Sequence, residues 1–250
     1  MSSTNPIRVL NESPLSGPIN MARDEALMTR VGLGQSQPTL RLYQWDPPTI
    51  SLGYFQPYSD YEALEPPAGD LAVVRRQTGG GAILHDLELT YSLTLPVNHS
   101  LLGDGAGHLY EHAHDAVIAC LRELDIAGEY CGTTDDSGAA KGPFFCFERR
   151  HRYDIVLESG KITGSAQRRT RDAILQHGSI VLGSRYDQQR VGRVSVAFDT
   201  TIVRLRSLFV DTLGALGDLP FENGEWTPEE LDAADELIPK YAGDEWTKRT

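Results

Sequence analysis

The chain has 250 residues, 40% of them hydrophobic, which can supply the core of one large domain or of one domain with a small appendage. Its 35 acidic residues against 23 basic ones give a net charge of −12, which argues against broad attraction to nucleic acid or anionic lipid. No basic N-terminal segment leads into an apolar stretch and no window approaches the ~20 apolar residues of a membrane span, so a cytoplasmic protein without a membrane partner is expected.

In chain order, Ser16 and Pro18 as start signals and Gly32 as a stop predict a helix over residues 19–31. Strand-like patterns follow at 40–45, 50–52, 71–76 and 90–95. The last is the cleanest, because Tyr91, Leu93 and Leu95 alternate with Thr90, Ser92 and Thr94, the pattern of a half-buried strand. Leu109, Ala113, Val117, Cys120, Leu121 and Leu124 then recur at helical spacing. Residues 128–143 are predicted to be a long loop ending just before Cys146, and loops of that length inside a domain tend to carry function. Strands are expected again at 153–157 and 174–182. Thr227 and Glu230 form a capping-box pattern with Pro228 at the first helical position, opening a helix through Leu231, Ala234, Leu237 and Tyr241 that Pro239 should shorten or kink. Runs of strands with few intervening helices predict an α+β fold with a mixed sheet. A boundary near 194–204 divides it into a catalytic domain, 1–200, and a helix–strand–helix extension, 201–250, packed on the same domain.

Four segments carry residues suited to chemistry. Arg75 and Arg76 precede Thr78, Gly79, Gly80 and Gly81, and consecutive glycines let backbone amides approach a ligand closely, although a glycine triplet equally makes a flexible hairpin. Lys161 opens a strand that continues through Gly164, Ser165 and Ala166, where a lysine between glycines can clamp a developing negative charge. Cys146 lies in an aromatic run followed by the basic cluster Arg149, Arg150, His151 and Arg152. A nearby cation favours the nucleophilic thiolate, whereas a cysteine among apolar residues can equally be a small core hydrophobe. That cluster and a second one, Arg168, Arg169 and Arg171, can form a positive patch for an acidic partner or simply a solvated edge. His108, Glu111 and His112 match an inverted-zincin pattern with no third ligand, so no metal site is expected, and the three cysteines are too few and too irregularly spaced for a disulfide scaffold.

The run from Arg75 to Asp86, continued by residues 87–92, resembles the signature of the lipoate and biotin protein-ligase superfamily. Lys161 to Gln167, residues 174–180 with His177 and Gly178, and the opening helix at residues 20–26 resemble further segments of it. The resemblance implies a mixed, mainly antiparallel sheet flanked by helices, an acyl tunnel beside the glycine-rich loop, and Lys161 at the carbonyl end. Arg75, Arg76, Thr78, Gly79, Gly80, Gly81, His85, Gly164, Ser165, Ala166, His177 and Gly178 would bind substrate. ATP-using ligases typically carry Gly-Asn where this chain has Glu88-Leu89, and they lack a cysteine at position 146. Octanoyltransferases acting on the glycine-cleavage H protein place their nucleophile in a setting like Cys146 to Asp154. Gly81 is the ligase-like feature, since those transferases often have arginine there. The implied activity is transfer of octanoyl from acyl carrier protein through a Cys146 thioester to a lysine of the H protein or of a 2-oxoacid dehydrogenase lipoyl domain, with no cofactor. An ATP- and Mg-dependent ligase, an amidotransferase between lipoyl domains and a non-catalytic lipoyl-domain-binding protein are the alternatives.

Overall fold

The polar half of the clean alternation in residues 90–95 turns out to face protein, and that sets the architecture. The computed structural model describes residues 6–103, 105–134 and 142–249. Among them the elements run β1 (Ile7–Asn11), α1 (Gly17–Gly32), β2 (Thr39–Tyr43), β3 (Thr49–Leu52), α2 (Ser59–Glu62), β4 (Ala72–Arg75), β5 (Ile83–His85), β6 (Leu87–Pro96), α3 (Ala106–Glu123), β7 (Glu129–Tyr130), β8 (Ile155–Leu157), β9 (Gly160–Arg169), β10 (Ala173–Gly183), α4 (Phe198–Gly217), β11 (Phe221–Asn223), α5 (Pro228–Asp235), α6 (Ile238–Ala242) and α7 (Asp244–Thr247). The larger sheet has the order β11-β1-β2-β6-β10-β9-β8-β7. It is parallel across β11, β1 and β2 and antiparallel beyond. A smaller sheet, β4-β3-β5, stands beside it. This is the expected α+β fold.

One face of the large sheet presents Leu40, Leu42, Tyr91, Leu93 and Leu95 to Leu109, Val117 and Leu121 of α3 and to Leu205, Phe209 and Leu213 of α4. Each such side chain contributes on the order of 1.5–3 kcal/mol by leaving water. The other face was expected to be wet, yet Thr90, Ser92 and Thr94 are 3%, 1% and 0% exposed. Helix α1 packs against β6 and covers them. Ser92 donates to Asp24 Oδ1 of α1 at 2.7 Å, and Thr90 Oγ1 accepts from Trp45 Nε1 at 2.8 Å. Polar residues at alternate positions therefore mark a buried layer here, hydrogen-bonded at Thr90 and Ser92, and the half-buried expectation is corrected.

Helix α1 begins where Ser16 and Pro18 predict and ends at Gly32. At the other end of the chain the capping box forms, with Thr227 accepting from the Glu230 amide and Glu230 accepting from Thr227. Glu230 also pairs with Arg8 at 2.7 Å, so one carboxylate both caps α5 and neutralises a buried guanidinium. The single predicted helix through Tyr241 is two, because Pro239 sits in the first turn of α6. The division at residue 200 falls inside α4, and β11 pairs with β1, so the last fifty residues are woven into the same layers. Within the predicted loop 128–143, β7 pairs with β8, and residues 135–141 lie outside the described ones. No helix among the described residues is long and apolar enough to cross a membrane.

Candidate active site

The glycine-rich loop connects β4 to β5 in the small sheet, and Arg76 holds it from inside. Its guanidinium donates to the carbonyls of Gly79 and Gly81, each at 2.7 Å, and of Ser51 at 2.8 Å. It also donates to the hydroxyls of Thr78 at 3.1 Å and Ser51 at 3.2 Å. With those oxygens accepting from a cation, their own hydrogens point onward to histidines: Thr78 to His177 Nε2 at 2.6 Å and Ser51 to His85 Nε2 at 2.8 Å. The other ring nitrogens donate to carboxylates, His177 to Asp24 at 3.2 Å and His85 to Glu88 at 2.7 Å. Burial brings Arg76 down to about 10, still charged at neutrality, and lowers His85. Burial would raise Asp24, but Arg41 and His177 outweigh it and hold the carboxylate below its usual range. His85 is stacked on Trp45, ring centroids 3.8 Å apart.

Gly81 explains how the cysteine reaches this loop. Ala82 N donates to Phe144 O at 2.9 Å and Cys146 N to Ala82 O at 2.7 Å, a short bridge between loop and cysteine segment. A Cβ on Gly81 would lie 2.9 Å from Cys146 N and 3.0 Å from Phe144 O, so close approach demands glycine. The ligase-like Gly81 thus leaves room here for the cysteine segment. Cys146 then opens a single 3₁₀ turn through Glu148.

Lys161 crosses from β9 over Gly164, where a Cβ would come within 2.8 Å of its Cε. Its ammonium stands 2.7 Å from Asp154 Oδ2, 3.2 Å from the Cys146 carbonyl and 3.8 Å from Cys146 Sγ. It also lies 5.4 Å over the Phe147 ring. Burial pushes Lys161 down, but negative charge at Cys146 and at Asp154 more than offsets this, so its pKa is raised and the ammonium persists. Asp154 is oriented by the His151 amide at 2.7 Å.

Cys146 is half-buried at the junction of two chambers. The inner one is lined by Met21, Tyr43, Trp45, Ser51, Arg76, Gly79, Gly80, Ile83, His85, Gly164, Ser165, Ala166, His177 and Gly178 among others, a mostly apolar slot between the two sheets. The outer one, an open vestibule, is bordered by Gly81, Tyr110, His114, Arg149, Arg150, His151, Tyr153, Asp154 and Lys161. Gly80, Cys146 and Ser165 border both and form the neck.

Twelve of the fourteen residues singled out from sequence therefore line one or both chambers, and two do not. Thr78 stands one shell back, holding His177. Arg75 turns away altogether: it donates to the carbonyls of Gly53 at 2.9 Å, Gln56 at 2.7 Å and Thr247 at 2.8 Å, tying α7 to the small sheet. Its placement in the acyl pocket is corrected, because a fully buried guanidinium goes where carbonyls converge. Trp45, Asp24, Glu88 and His114 were not singled out. Asp154, at the far end of the cysteine setting, was within reach of the sequence pattern. His112 bonds the Leu213 carbonyl at 3.2 Å and joins α3 to α4. Among the described residues no cluster of three His, Cys, Asp or Glu side chains can hold a metal. Leu89, where ligases have asparagine, lies in the core at 0% exposure.

A sequence profile of the lipoyl protein ligase A/B catalytic domain matches residues 16–199. Octanoyltransferase LipM of Kyrpidia tusciae is 37% identical over 276 residues, covering 97% of this chain and 98% of that protein. Octanoyltransferase LipM of Staphylococcus aureus is 31% identical over 266 residues, covering 92% of this chain and 94% of its own. A chain from the structure of the bipartite lipoate protein ligase and its E2 lipoyl domain from Thermoplasma acidophilum matches with TM-score 0.71 at 22% identity, over 97% of this chain and 96% of that one, a shared fold.

Proposed function

The chain belongs to the lipoyl protein ligase A/B catalytic-domain family, and from that premise we propose that it moves octanoyl in two steps through Cys146. It is an octanoyltransferase of lipoate biosynthesis, like its nearly full-length relatives, and the ligase and amidotransferase readings are set aside. The acceptor is a lipoyl-type carrier protein. We take the donor to be octanoyl-acyl carrier protein, the acceptor lysine to belong to the glycine-cleavage H protein or a 2-oxoacid dehydrogenase lipoyl domain, and the setting to be the cytoplasm, where thiols stay reduced.

The observation that carries the mechanism is Cys146 at the neck with the Lys161 ammonium 3.8 Å from its sulfur. The octanoyl chain fills the apolar slot, which leaves its carbonyl at the neck and the donor's arm in the vestibule. The Cys146 thiolate attacks that carbonyl, the donor C–S bond breaks, and the donor thiolate leaves to be protonated. The acceptor lysine's amine then attacks the new thioester, the C–Sγ bond breaks, and one amine proton ends on sulfur. Thioester exchange is nearly balanced and amide formation is downhill, so no ATP is consumed. Lys161 offsets the negative charge on sulfur and on the tetrahedral oxygen.

A donor panel tests this. Octanoyl-acyl carrier protein without nucleotide should octanoylate the acceptor, whereas free octanoate or lipoate with ATP and Mg should give neither product nor pyrophosphate. Pyrophosphate release on adding ATP and free acid would overturn it.

A further inference from the structure

Resting on the transfer reading above, the geometry points to Ser165 as the hydrogen-bond acceptor that docks the acceptor lysine's amine in the second step, with His114 fixing the direction in which its hydroxyl points.

The argument follows hydrogens. His114 Nδ1 contacts the Tyr153 carbonyl, which only accepts, so Nδ1 carries the proton. The ring is 1% exposed, and burial keeps it neutral by lowering it to about 4. Its Nε2 is therefore an acceptor and takes the Ser165 hydrogen at 2.5 Å. Having given up its one hydrogen, Ser165 Oγ accepts from the Tyr91 hydroxyl at 2.6 Å. Burial raises that phenol to about 12, and its oxygen in turn accepts from Gln176 at 3.2 Å. Every donor in the chain is spoken for, and polarity runs one way from Gln176 to the Tyr153 carbonyl.

A hydroxyl oxygen has two lone pairs, and Tyr91 occupies one. Ser165 also borders both chambers, as does Cys146, on which the thioester carbonyl forms. The ammonium of Lys161 borders the vestibule and engages the Asp154 carboxylate. The attacking lysine must be a neutral amine, since an ammonium has no lone pair, and its N–H suits an uncharged acceptor. As the amine lone pair forms the C–N bond and the C–Sγ electron pair returns to sulfur, one amine proton leaves and the other stays as the amide N–H held by Ser165. A thiolate attacking the same carbon has no such hydrogen and gains nothing from Ser165. Gly178 belongs to the device, since a Cβ there would lie 2.4 Å from Ser165 Oγ.

The test separates nucleophiles. Acyl-enzyme is formed from octanoyl-acyl carrier protein and isolated, then partitioned between discharged acyl carrier protein, a thiol, and the acceptor carrier, an amine. For Ser165→Ala and His114→Leu, transfer to the amine should fall about 10- to 100-fold while return to the thiol stays within about threefold. His114→Gln, which keeps an acceptor near the Nε2 position, should recover much of the amine rate. A wild-type enzyme that forms no acyl-enzyme overturns the transfer reading itself. Normal acyl-enzyme formation with an unchanged thiol-to-amine ratio in both variants, or equal losses for the two nucleophiles, overturns the role given to Ser165 and His114.

Discussion

Replacing Cys146 with serine should lower octanoyl transfer by about 10³-fold or more and abolish a hydroxylamine-labile mass addition that the unaltered enzyme acquires from octanoyl-acyl carrier protein. The loss is large because a serine hydroxyl is not ionised near neutral pH even beside an ammonium. Any ester it did form would also be a poorer acyl donor to an amine than a thioester is. The variant should fold normally, since Cys146 is half-buried and serine is nearly isosteric with it. Intact-mass spectra with and without hydroxylamine, alongside turnover, decide the matter. A serine variant with full turnover, or with the same labile adduct, would exclude the covalent route.

Lys161→Ala should cost on the order of 10²–10³ in transfer, the usual loss for removing one donor to a developing oxyanion. The side chain is 4% exposed and faces Asp154 at 2.7 Å, so its removal also leaves a buried carboxylate without its cation. Asp154→Asn is the control: a transfer loss confined to Lys161→Ala is electrostatic at the sulfur, and equal losses report on the pair. Arginine should rescue little, because a planar fork cannot lie across Gly164 as the slim lysine stem does. Since Lys161 titrates above its ordinary 10.5, its contribution should hold through neutral and mildly alkaline pH and fade only when the pH climbs past that value. Alkylation of Cys146 at neutral pH should be slower in Lys161→Ala. Unchanged alkylation and unchanged turnover would remove Lys161 from the site.

Much of this was legible in residues that serve backbone geometry. The glycines at 81, 164 and 178 mark places where a neighbouring backbone or side chain leaves no room for a Cβ, and such constraints are written locally. The α+β class followed from strand spacing for the same reason. What sequence hid were groups whose meaning is a partner far along the chain. Thr90, Ser92 and Thr94 read as solvent-facing because nothing local announces that α1 lies over them. His114 sits in a helix whose periodic apolar residues drew the eye, and its bond to Ser165 spans 51 positions. Arg75 shares a motif with Arg76, yet their side chains diverge, one to the glycine loop and the other to the carbonyl of Thr247.

The neck shared by Gly80, Cys146 and Ser165 also dictates the order of events. On the proposed two-step route the two carrier proteins compete for one vestibule and one sulfur, so the discharged donor is expected to depart before the acceptor arrives. Steady-state kinetics should then be ping-pong: reciprocal plots at several acceptor concentrations run parallel, and discharged donor inhibits competitively against the acceptor. No ternary complex of enzyme, donor and acceptor should accumulate. On this route the octanoyl chain would wait between visits in the slot, with its carbonyl at the neck facing the vestibule through which the next arm enters.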